Sequence, residues 1–356
     1  MTQTINSIYP TPEERRSLRR HYAKAGLIIL AFILIFHGLN YLILHISAGI
    51  IGGSFDAAAI KAGKSVINAD PVMRTIYGYG MPLAGDIAAF GVGLLVTKCP
   101  IAKKLTINGF NGKDFGVCFV MTFSLSTAAA LISQIILAII MYLSGKTSDV
   151  ADTVTSITLS PEVTPLWINV LIELYACIIG PIFEELIFRG VLLEALRKYG
   201  NTFGIIASSL MFGLAHANYI QFIPAMIIGM VWAYTAVKTG SLIPSIVLHI
   251  INNTVASLLM AMLEYTSPKD EDIFDIAQSM LNNFSVVVAV MLNMAVRMGC
   301  VIASIIIIVR FYSSGKRLFT PSEYCKKRTW RYFLTSFVWI ICIGYLGYRT
   351  VTSLPL

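Results

Sequence analysis

The chain has 356 residues, 56% of them hydrophobic and only 13% charged, with a mean hydropathy of +0.74. A soluble domain carries roughly 25% charged residues, which excludes a water-soluble globule. The net charge of +8 does not point to nucleic acid, because the bases fall in short segments between apolar runs, the positive-inside pattern of membrane proteins.

The densest of these segments are EERRSLRRHYAK (13–24) and CKKRTWR (325–331). The apolar content comes in blocks of about 20 residues, the length that crosses a bilayer core. Only helices and closed barrels satisfy every backbone group in lipid. The expectation is therefore an all-α, polytopic transmembrane helix bundle, a multi-pass protein of the cell membrane with lipid as its surroundings. The run after residue 24 is too long for a cleaved signal peptide.

In chain order the expected spans lie near 25–46, 76–97, 116–144, 165–195, 203–218, 221–238, 241–263, 283–310 and 332–351, nine in all. The third and fourth are long enough to tilt or to extend beyond the bilayer. The fifth and sixth are short and nearly continuous, joined around HANYIQF. Four regions follow: a basic segment 1–24, three spans within 25–160, four spans within 161–263, and an acidic loop with two spans in 264–356.

Loop charge predicts a cytoplasmic N-terminus. The N-terminal segment, TKCPIAKKL, LRKYG, Lys238 and RFYSSGKR with CKKR are basic, whereas GKTSDVADT and EYTSPKDEDIFD are net acidic. An odd span count keeps this alternation and puts the C-terminus outside. The six cysteines (Cys99, Cys118, Cys177, Cys300, Cys325, Cys342) form no CxxC pair and read as small packing residues. Gly91 and Gly93 follow no strand and read as close-packing positions rather than a phosphate loop.

Ionisable residues inside the spans are costly, at about 2.5–3.5 kcal/mol each on insertion scales, and mark function by default. They are His37, Asp86, Glu173, Glu184, Glu185, Arg189, His216, His249 and Arg297. His37, Asp86 and Arg297 stand alone in sequence and are expected to be hydrogen-bonded packing residues. Glu173 is eleven residues before Glu184, close to three turns, so the two would lie nearly on one face. Its expected role is a contact with another helix or outward polar groups.

The set Glu184, Glu185, Arg189, His216 and His249 crowds into four consecutive spans. Glu185 and Arg189 are i, i+4 with the acid N-terminal, the favoured order for a pair. Glu184 lies about 100° round the helix and does not share that partner. One carboxylate would then be structural and its neighbour available to act. His249 and Asn253 share a face, as do Phe212 and His216, where the ring can orient the imidazole by packing. Glu184 is about 14 residues before Lys198, roughly 20 Å at 1.5 Å per residue. His216 and His249 lie roughly 20 Å and 13 Å from the cytoplasmic ends of their spans on the same rule. Pro181, following Gly180, is expected to kink the fourth span just before the glutamates.

A desolvated carboxylate can serve as general base for water. Two imidazoles can bind a divalent metal such as Zn2+ together with Glu184, or orient the water and stabilise an oxyanion. An asparagine amide suits an oxyanion donor. The combination fits hydrolysis of an acyl bond, most simply a peptide bond, on a peptide or membrane-protein substrate. A proton-coupled transporter would also use buried Glu, His and Arg, but no second half repeats the first. A non-catalytic immunity or scaffold protein is the other alternative.

Three short motifs, EELIFR (184–189), FGLAH (212–216) and HIINN (249–253), occur in that order. Together they resemble the CAAX protease and bacteriocin-processing family, the Abi or type II CAAX prenyl endopeptidase group of intramembrane proteases. The resemblance covers about 165–260. It implies that Glu184 activates water, that Glu185 and Arg189 support it, that His216 and His249 complete the site, and that Asn253 is the oxyanion donor. It also implies a metalloprotease label, with a metal-free glutamate mechanism as the competitor, and no HExxH helix is present. Relatives remove the last three residues of prenylated proteins, or act in peptide maturation, bacteriocin self-immunity and surface-protein processing.

Overall fold

The first helix, α1 (Pro12–Gly52), begins with a capping box. The Glu14 amide donates to the Thr11 hydroxyl and the Thr11 amide to the Glu14 carboxylate, at 3.3 and 2.8 Å. Pro12 supplies the fixed φ of the first turn and Glu13 and Glu14 face the positive end of the dipole. The basic stretch 13–24 is therefore the opening of the first span's own helix rather than a separate segment.

The computed structural model describes residues 10–52, 69–107, 111–145, 165–198, 200–266, 283–315 and 329–354, with scattered positions between 61 and 67. The acidic stretch 267–282 and most of the 145–164 and 316–328 connections, used above for orientation, lie outside the described residues, as does Cys325. After α1 come α2 (Val72–Thr97), α3 (Gly112–Ser144), α4 (Leu166–Arg197), α5 (Asn201–Ala215), α6 (Tyr219–Thr239), α7 (Ile243–Thr266), α8 (Phe284–Ser313) and α9 (Phe337–Thr352). No strand occurs among the described residues.

All nine expected apolar segments are helical, and seven of them (α1–α4 and α6–α8) are long and apolar enough to cross a membrane. The other two, α5 and α9, have 15 and 16 residues, short of the ~20 that a full crossing takes. The chain is a multi-pass helical membrane protein. The expected ninth span begins five residues late, because a break at Thr335–Ser336 separates α9 from a short helix, Thr329–Leu334.

The chain forms two compact units. The first comprises Met1–Ile101, Thr164–Tyr199 and Tyr324–Cys342, the second Ala102–Val163, Gly200–Glu323 and Ile343–Leu356. The boundary at Tyr199 and Gly200 falls inside the 161–263 region.

In the first unit α1 and α2 pack along their length, and α4 packs on α2. Helices in lipid gain no hydrophobic drive from one another, so close approach at small residues supplies the contact. A Cβ at Gly93 would collide with the Val191 side chain, and one at Gly85 would sit 2.9 Å from the Phe32 ring. Gly91, read as equivalent to Gly93, faces open space. The Trp339 indole donates to the Tyr22 carbonyl at 2.7 Å, and Phe333 lies between these rings, 5.8 and 4.5 Å away. Truncating an aromatic so buried costs roughly 3–5 kcal/mol.

In the second unit α6 packs on α5, α3 and α7, and α8 packs on α3. Polar contacts tie α3 to both partners. Thr235 donates to Cys118 Sγ at 3.0 Å, Lys238 pairs with Asp114 at 2.8 Å, and Ser124 and Ser304 share a hydrogen bond of 2.7 Å. Arg297 donates to Asn293, Ser126 and Thr127 and lies over the Phe123 ring, which makes it a packing residue as expected. Cys99, Cys118, Cys177, Cys300 and Cys342 are buried thiols outside any disulfide.

Candidate functional site

Within the first unit, the stretch Gly180–Glu185 of α4 is framed by two wider π-helical turns, Tyr175–Ile179 and Leu186–Leu192. Pro181 has no N–H to donate and its ring crowds the preceding turn. The helix absorbs this by widening, so that the Gly180 amide reaches the Tyr175 carbonyl five residues back. The kink expected at Pro181 thus takes the form of a π turn, a feature frequent at functional sites. The extra residue also turns Glu173 away from Glu184, to about 80° instead of about 20° by helical geometry. Glu173 is exposed and accepts a hydrogen bond from Cys177 Sγ at 3.3 Å.

Glu185 and Arg189 form the expected pair, Nη1 to Oε1 2.9 Å, and both side chains are fully buried. A buried charge is tolerable only when paired. The pair fixes the helix at the turn where Glu184, half-buried, projects. The charge of Arg189 also acts on Glu184. Glu184 further interacts electrostatically with Asp86 of α2 and with Tyr175, whose hydroxyl hydrogen-bonds the Asp86 carboxyl group. Asp86 is 6% exposed. Sequence reasoning assigned it to packing, since nothing local connects it with a residue 98 positions later.

Within the second unit, four rings from three helices interlock. Phe212 of α5 meets His216 edge-on at 5.0 Å and His249 of α7 at 5.8 Å. His249 stacks on Trp232 of α6 at 4.2 Å, and the Trp232 indole donates to Thr122 of α3 at 3.2 Å. His249 is 3% exposed and Trp232 1%. Trp232 therefore orients His249, a role its sequence position did not reveal.

His216 is not inside its helix, as the expected span 203–218 had it; it closes α5, and Ala217 beyond it adopts φ +52°. The Asn218 side chain then caps α6 by accepting from the Gln221 amide at 2.8 Å and donates to the His216 carbonyl at 3.1 Å. The close α5–α6 turn depends on Gly213, where a Cβ would lie 2.7 Å from the Phe222 carbonyl. His216 Nδ1 is 2.8 Å from the Phe212 carbonyl. A carbonyl only accepts, so Nδ1 carries the proton and Nε2 is the basic nitrogen. Asn253 is half-buried, and its side-chain oxygen accepts from the Asn252 side-chain amide at 3.3 Å.

Among the described residues no three His, Cys, Asp or Glu side chains are grouped so as to hold a metal ion.

Residues 165–255, which contain all three motifs, match the family described as "Type II CAAX prenyl endopeptidase Rce1-like". A stretch of 91 residues is 32% identical to the Bacillus subtilis (strain 168) protein named "Putative membrane peptidase YdiL". It covers 25% of this chain and 37% of that relative, so the chain spans well under half of the relative's length. No solved structure matches.

Proposed function

We propose that this chain, whose residues 165–255 belong to the Rce1-like type II CAAX prenyl endopeptidase family, is an intramembrane endopeptidase that cleaves a peptide or membrane-protein substrate. The observation that carries this reading is the buried Glu185–Arg189 pair. It holds a second carboxylate, Glu184, half-exposed on a distorted stretch of α4.

Glu184 takes a proton from water, and the resulting hydroxide attacks the scissile carbonyl carbon. The C=O bond becomes a tetrahedral C–O⁻. The Asn253 NH2 and a histidine N–H donate to that oxyanion, the largest catalytic contribution in many acyl transfers. The proton held on Glu184 passes to the leaving amine as the C–N bond breaks. His216, with its proton fixed on Nδ1, presents Nε2 as an acceptor that orients the attacking water. His249 is set by its Trp232 stack and adds a second imidazole. No serine or cysteine nucleophile is used.

The test is a comparison of membrane proteomes from cells expressing the wild-type chain or Glu184→Gln at equal levels, reading new C-termini. Termini present with wild type and absent with Glu184→Gln support the reading. Identical termini, or a phenotype that Glu184→Gln fully complements, assign the chain to binding rather than hydrolysis.

A further inference from the structure

We propose that Arg297 of α8 anchors a second membrane-spanning helix, one from another protein that carries a single carboxylate near its middle. The inference goes beyond the cleavage reading and does not depend on it.

Depth is the first observation. Arg297 lies 13 residues after Phe284 and 16 before Ser313, the two ends of α8. At 1.5 Å per residue it is about 20 Å from one end and about 24 Å from the other. The hydrocarbon core is about 30 Å thick, so the side chain sits near its middle. Arginines reach the interface from positions near helix ends, and Arg297 holds no such position.

The contacts of Arg297, all within the second unit, are the second observation. Its Nε donates to the Asn293 side-chain oxygen at 3.0 Å, and Nη1 donates to the Ser126 and Thr127 hydroxyls of α3 at 3.1 and 3.3 Å. The guanidinium lies over the Phe123 ring, 5.5 Å from its centroid. Every one of these partners is neutral, and among the described residues no carboxylate pairs with Arg297. The packing contacts therefore hold the group in place without neutralising it. Nη2 carries two further N–H donors. It makes no hydrogen bond to a described residue, yet it is not one of the buried polar atoms that lack a partner, so it is accessible.

The surface beside it is the third observation. Met291, Met294, Met298, Ile302 and Ile305 are 66, 58, 54, 59 and 56% exposed. Their spacing of 3, 4, 4 and 3 residues is that of a seam along which one helix packs on another. Arg297 stands beside this seam, where flanking charges of paired helices meet. Methionine adapts to varied partner surfaces. Lipid tails can cover the apolar seam, but they offer nothing to the cation. A helix with one carboxylate covers the seam and supplies the acceptor that the guanidinium fork matches.

The experiment places the full chain, labelled with a donor dye, in vesicles of phosphatidylcholine alone. The probes are acceptor-labelled single-span peptides of Leu and Ala with one central Asp or, as control, one central Asn. Energy transfer is read against peptide content, and the unfolding midpoint of each variant is measured alongside. The wild-type chain is expected to bind the Asp peptide roughly 5- to 30-fold more tightly than the Asn peptide, the range of one polar contact between helices in lipid. Arg297→Gln should lose that preference. Arg297→Glu should instead prefer a peptide with a central Lys, a reversal that a merely structural role would not produce. If Arg297→Gln fails to fold, the wild-type comparison of the Asp and Asn peptides still decides. Equal binding of the two by wild type, or a preference that persists in Arg297→Gln, overturns the proposal. So does energy transfer between copies of the chain that Arg297→Gln abolishes, because it assigns the surface to a second copy.

Discussion

Replacing Arg189 by Met keeps the volume of the side chain and removes its charge. It strands Glu185, whose partner is 2.9 Å away and whose side chain is fully buried. Breaking a buried pair by deleting one partner costs about 3–5 kcal/mol, because an uncompensated charge remains. Each 1.4 kcal/mol is a tenfold change, so the folding equilibrium moves by a factor of roughly 150 to 4,000. Removing both charges with Glu185→Leu and Arg189→Met should recover most of it, since an apolar replacement of a buried pair is often neutral or stabilising by about 1–4 kcal/mol. The assay is equilibrium unfolding in mixed micelles against a denaturing detergent, comparing wild type, both single variants and the double. A single Arg189→Met as stable as wild type, or a double variant less stable than either single, would refute the reasoning.

Gly213→Val should displace α5 from α6, because its Cβ would sit 2.7 Å from a backbone carbonyl. Overpacking of this kind costs about 1–3 kcal/mol, and the shift should carry His216 with it, seen as a cleavage loss greater than the change in unfolding midpoint. If Glu184 itself activates the water, cleavage by the purified chain should survive dialysis against a chelator. Loss on chelation with recovery on adding Zn2+ would instead assign a metal to the reaction.

Much of this architecture is legible in the sequence because the bilayer imposes a length and a composition on each helix. The i, i+4 spacing of Glu185 and Arg189 likewise foretells their pair, and that of Phe212 and His216 their ring contact. Other features depend on backbone geometry that residue spacing does not encode. The π turns break the 3.6-residue rule on which the Glu173 reading relied, and only Pro181 hints at them. The end of α5 at Ala215 follows from the left-handed Ala217, a conformation that alanine does not advertise. Trp232 is invisible for a different reason: its significance comes from a contact between helices, the stack on His249.

The most direct test of the central claim is the cleavage rate of a defined membrane peptide by the purified chain and by Glu184→Gln in the same proteoliposomes. Loss of a general base is worth roughly 10²- to 10⁴-fold, so the variant should fall by at least 10²-fold while its unfolding midpoint stays at the wild-type value. A Glu184→Gln chain that cleaves within a few-fold of wild type would contradict the account.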